Sequence, residues 1–124
     1  MLKSDFTVFL QKKLNEIEQT SASGQSEYVL NENAFDNFNR LAAELGIPRE
    51  QILMVYFSKH RDGVINYLKG QRSQREPVQG RIKDCIVYLL LLWAMIDENE
   101  IVARAQAQTN VYIGNSNDFQ RPRP

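Results

Sequence analysis

Two short stretches hold the side chains best suited to chemistry. One is Lys59-His60-Arg61-Asp62-Gly63; the other is Glu76-Pro77-Val78-Gln79-Gly80-Arg81-Ile82-Lys83-Asp84, with Tyr88 following. Arg81, Asp84 and Tyr88 stand at i, i+3 and i+7, so on a helix they form a polar edge. Lys59 and Asp62 share a side of the preceding helix, and apposition with Arg81 and Asp84 sets cations beside carboxylates in a partly dry crevice. From these spacings Lys59, His60, Arg81 and Tyr88 are candidate ligand-binding residues, and Asp62 and Asp84 candidate metal ligands. No catalytic residue is assigned. Each group also has a plainer role: His60 as a packed, hydrogen-bonded histidine, Arg81 and Asp84 as an intersubunit ion pair, Lys59 and Asp62 as solvated charges.

The stretches must be held by helices. Phe6, Phe9, Leu10, Leu14 and Ile17 recur at spacings of three and four and predict a first helix, which the polar stretch 20–26 is expected to end. Asn31 or Asn33 is expected to cap a second helix running through Phe35, Phe38, Leu41, Ala42 and Leu45 to Gly46. Pro48 opens a third helix that continues to Gly70, with Gly63 inside it. Pro77 opens a fourth, in which Ile82, Ile86, Leu89, Leu90, Trp93 and Ile96 mark one face and Val87, Leu91 and Met95 another. A helix apolar on almost all sides needs cover that three short neighbours do not supply, so the chain is expected to be a homo-oligomer, most simply a dimer, with helix four at the interface.

The fold expected is all-α, a four-helix bundle-like protomer over residues 1–108 with an extended C-terminal tail over 109–124. Within that tail the alternating Thr109-Asn110-Val111-Tyr112-Ile113 is expected to form a short strand.

Composition removes several function classes. The 124 residues suit one domain, and 15 acidic and 15 basic side chains cancel, which predicts no general nucleic-acid binding. The most apolar stretch, 85–96, is far short of the roughly 20 residues that span a bilayer, so no membrane is expected. Cys85 is the only cysteine and His60 the only histidine, which excludes an intramolecular disulfide, a cysteine-rich metal site and a multi-histidine zinc site. No phosphate-cradling glycine loop of a common type is present. The opening residues lead directly into a charged amphipathic pattern, so the whole chain is expected to be mature and cytoplasmic.

Phe35-Asp36-Asn37-Phe38, Lys59-His60-Arg61-Asp62, and Arg81-Ile82-Lys83-Asp84 leading into Tyr88-Leu89-Leu90-Leu91-Leu92 together resemble the phage-associated nucleotide-modification domains and, more distantly, the MazG-like all-α nucleoside triphosphate pyrophosphohydrolases. The likeness covers residues 35–98. It implies a helical bundle, dimeric or higher, with a nucleotide site whose carboxylates hold magnesium, and by position Asp84 is similar to the aspartate closing the second acidic motif. In the pyrophosphohydrolases a glutamate stands three residues earlier, where this chain has Arg81, and no paired-glutamate motif lies upstream. Three functions stay open: a protein binding a nucleoside phosphate between helices three and four, with a divergent metal-dependent pyrophosphohydrolase as its catalytic form; a non-catalytic binding or sequestering module; and a structural or protein-interaction dimer.

Overall fold

A computed structural model describes residues 1–28, 33–71 and 75–120, with the side chains of 20–28 and 115–120 outside the description. Four helices make up the fold: α1 (Lys3–Tyr28), α2 (Asp36–Leu45), α3 (Arg49–Leu68) and α4 (Val78–Gln120). No strand occurs among the described residues, and the all-α class is as expected. No helix among them is long and apolar enough to cross a membrane.

The boundaries follow local chemistry. Asn31 lies outside the described residues, but Asn33 starts the turn into α2, its side-chain oxygen accepting the Phe35 N–H at 2.8 Å. Gly46 ends α2 in the left-handed conformation, φ 68°, and its N–H donates to the Ala42 carbonyl. Pro48 is the extended residue from which α3 starts, with Glu50 in the positive first turn. Gly70, φ 98°, follows the end of α3. The Pro77 carbonyl accepts the Gly80 N–H at 3.0 Å, so α4 starts directly after the proline.

Two expectations are corrected. Helix α1 continues through the polar stretch to Tyr28 instead of ending before it. The extended tail and strand expected from residue 109 are helical to Gln120, with residues 121–124 outside the description. Propagation explains the second point. Alanines 103, 105 and 107 carry the helix in, the Thr109 hydroxyl folds back onto the Ala105 carbonyl at 3.0 Å, and β-branched or aromatic residues cost at most about 0.7 kcal/mol each in a helix already nucleated.

The chain divides into two compact units, Met1–Leu91 and Leu92–Pro124, the second being the C-terminal part of α4 with the residues that follow it. In the first unit α2 packs on α3. Phe35, Phe38, Ile52 and Leu53 are buried, Leu53 completely. Arg49 ties the two helix starts together: its guanidinium lies 5.0 Å from the Phe35 ring centroid and donates to Asn39 at 3.4 Å. In α1 only Ile17 of the expected face is buried; Phe6, Phe9, Leu10 and Leu14 are exposed.

Phe38 is the pivot of this core, because its ring meets Tyr56 of α3 edge-on at 5.7 Å and Tyr88 of α4 at 6.4 Å. Phe38→Ala is expected to cost about 3–5 kcal/mol, transfer energy plus a cavity bordered by three helices. Urea denaturation followed by circular dichroism measures it, and a loss under 1 kcal/mol would show that the ring is not packed in this way.

Candidate functional site

The site grows out of the facing surfaces of α3 and α4. Tyr56 and Tyr88 stack at 6.5 Å with planes 15° apart; His60 Nδ1 lies 3.3 Å from Asp84 Oδ2; Gly63 lies under the Arg81 side chain. These three pairs share one midpoint in the sequence, as an antiparallel helix pair in constant register requires. Spacings of four and three on α3 meet spacings of four and three on α4.

Gly63 makes the close end of the seam. A Cβ there would occupy the space of Arg81 Cδ, Nε and Cζ, so the helix-interior glycine is explained by a side chain laid across its backbone. Burial leaves Arg81 Nε without a hydrogen-bond partner among the described residues. At the centre, the His60 ring is only 16% exposed and lies 5.4 Å from the Tyr88 centroid. The His60–Asp84 separation is within ion-pair range, yet Nδ1 is buried and makes no hydrogen bond among the described residues. The distance brings the two groups together; the alignment for a shared proton is missing, and alignment decides whether a hydrogen bond exists. A carboxylate oxygen of Glu76, from the connection before α4, joins them: one ligand-type atom from each of His60, Glu76 and Asp84 lies within 4.8 Å of the others.

Of the six residues singled out in the sequence, the structure brings together His60, Arg81, Asp84 and Tyr88 along one seam. Lys59 and Asp62 are exposed. Each stands one position before a seam residue, His60 or Gly63, and is therefore turned about 100° from the α4-facing side. Of the two expected metal ligands, Asp84 belongs to the cluster and Asp62 does not. Magnesium, which the family resemblance implies, fits poorly here, because it wants a near-octahedral oxygen shell and the group next to Asp84 is an imidazole. Glu76 went unassigned in the sequence because it precedes the helix and no periodicity links it to Asp84. Tyr56, which lies at helical spacing from His60, is 40% exposed and is a member of the seam that the sequence does not single out.

Asp84 sets the electrostatics of its neighbours. Burial, then the Asp84 charge, push the Cys85 thiol pKa up. Burial first, then Asp84 and Tyr56, do the same for the Tyr88 phenol, which stays protonated and able to donate. Comparisons of the chain with protein-family models, with curated proteins and with solved structures give no match.

The raised values have a checkable consequence. Cys85 and Tyr88 hold their protons more tightly folded than unfolded, so the stability they contribute is complete below the ordinary thiol and phenol values and lost as pH rises through the raised folded ones. Asp84→Asn removes one cause of each shift. The pH profile of Cys85 alkylation by iodoacetamide should move down in the variant, and the alkaline fall in denaturation midpoint should shrink. An unmoved alkylation profile would contradict the assigned role of the Asp84 charge.

Proposed function

We propose that the protein binds a nucleoside phosphate along the α3–α4 seam, phosphates on Arg81 and base against the Tyr56–Tyr88 pair. The observation that carries this reading is the Arg81 guanidinium, whose buried Nε–H lacks a partner among the described residues. An unsatisfied buried donor costs roughly 1–3 kcal/mol, more when it is charged, and an anionic oxygen would relieve it. Tyr88 stands seven residues on, about 10 Å along α4, a span comparable with the reach from a base to the outer phosphates. Tyr56 offers a half-exposed ring for stacking. Lys59, exposed at the rim, adds positive charge, and His60 lies between phosphate and base ends.

The reading is one of binding, which serves a sequestering module as well as an enzyme. Pyrophosphohydrolysis is its narrower form and requires a metal-activated water.

A thermal-shift panel of nucleoside mono-, di- and triphosphates, run in EDTA and again in magnesium chloride, tests it. A ligand at a hundredfold its Kd stabilises by about 2.7 kcal/mol, several degrees in Tm for a chain of this size. Arg81→Met should hold or raise the apo Tm, since it removes an unsatisfied donor, while abolishing the shift. Gly63→Ala should act likewise, because its Cβ displaces the flexible end of Arg81 while alanine favours the helix by up to about 1 kcal/mol. No shift with any nucleotide, or a shift that both variants keep, rejects the reading; phosphate products released by the wild type would establish the hydrolase form.

A second reading, pairing with another copy through α4, is favoured by a separate observation. Ile82, Ile86, Leu89, Trp93 and Ile96 recur at spacings of four, three, four and three, and each is at least 40% exposed. That alternation is the pattern a helix pair buries along its seam. A balanced net charge does not oppose self-association. Light scattering at micromolar concentration should return twice the 14.4 kDa chain mass, and Ile86→Glu should halve it. A wild-type mass of one chain rejects this pairing.

A further inference from the structure

We propose that His60, Glu76 and Asp84 form a binding site for one first-row transition dication of the zinc or manganese class, in preference to magnesium. The proposal stands on these three ligands and does not require that a nucleotide binds.

Geometry is the first support. Two ligands on a tetrahedral zinc, each about 2.1 Å from the metal, stand about 3.4 Å from one another with their lone pairs converging on the ion. His60 Nδ1 and Asp84 Oδ2 are 3.3 Å apart, and neither direction is set for a hydrogen bond between them. That combination suits a shared cation better than a shared proton. The widest ligand-atom separation in the trio is at most 4.8 Å, so closure needs roughly 1.4 Å of movement. Glu76 is exposed, precedes α4 and has three side-chain torsions with which to supply it.

Ligand chemistry is the second support. One imidazole nitrogen and two carboxylates form a borderline set, suited to zinc, manganese, iron or cobalt, whereas magnesium favours oxygen alone. The His60 ring is 16% exposed and packs beside Tyr88 at 5.4 Å, which narrows the directions its nitrogen can take before any metal arrives. Two carboxylates neutralise a dication, and Arg81 one turn before Asp84 leaves the neighbourhood positive. Three protein ligands leave a tetrahedral zinc one open position, for water or an anion.

The test uses the full chain, stripped with chelator and dialysed, with no nucleotide present. Zinc, manganese and magnesium chlorides are titrated separately by calorimetry, and cobalt chloride is followed by its visible absorption. The expected result is one zinc per chain, a cobalt spectrum of low-symmetry nitrogen and oxygen coordination, and no displacement by millimolar magnesium. Glu76→Gln should weaken zinc at least tenfold with the apo circular dichroism and Tm unchanged, because the residue is exposed; Asp84→Asn should weaken it at least as much. Glu18→Gln, exposed on α1, should leave it unchanged. Absence of zinc binding, or zinc affinity that Glu76→Gln does not alter, overturns the site. Either result can occur while nucleotide stabilisation in EDTA persists, so failure here is distinct from failure of the nucleotide reading.

Discussion

The contact of Arg81 with the bare backbone of Gly63 is the constraint that decides where the guanidinium lies on the α3–α4 seam. A side chain at position 63 would displace the flexible end of Arg81, and with it the donor laid along the seam, while the helix pair itself would persist. The same register delivers His60 to Asp84 and Tyr56 to Tyr88. Each aromatic contact is worth about 0.5–1.5 kcal/mol beyond its buried area. Their joint worth is not the sum, because Phe38, Tyr56, His60 and Tyr88 share neighbours and couple.

Much of this was legible in residue order. Gly46, Pro48, Gly70 and Pro77 punctuate the chain where helices stop and start, since glycine tolerates positive φ and proline suits a helix opening. The errors lie where a local signal was set against cooperativity: small polar residues after 20 and β-prone residues after 109 argued for loop and strand, yet both regions extend a helix already formed. For the site, the i, i+3, i+7 edge of α4 was readable because a helix period fixes it. The opposing choice on α3 was not. A sequence shows that residues 59–63 can face a neighbour, but one position is 100° of rotation, and only the packed register selects His60 and Gly63 over Lys59 and Asp62. Glu76 reaches the cluster through the fold of a connection, which no periodicity encodes.

The charge pattern of the seam follows from the same packing. Burial first, and then the Asp84 charge beside them, makes Cys85 and Tyr88 hold their protons more tightly. The groups able to answer that charge are His60, beside it but misaligned for a hydrogen bond, and Arg81, one turn away with its Nε–H buried. The polar groups are thus gathered without being mutually satisfied. That state is costly for a structural ion pair and useful for a ligand, because incomplete hydrogen bonding is what an incoming cation or anion can complete.

Helix α4 can serve a ligand site and a second copy at once, and the reason is angular. At 100° per residue, Arg81, Asp84 and Tyr88 fall within about 60° of one another around the helix, whereas Ile82, Ile86 and Leu89 cluster on a stripe centred roughly 130° away. A partner helix seated on that stripe would bury apolar side chains that are at least 40% exposed in the single chain, and would leave the edge facing α3 uncovered. Pairing and ligand binding, as proposed, would therefore draw on different faces, and the apolar circumference that makes α4 unusual for a small domain is compatible with a polar edge that faces α3.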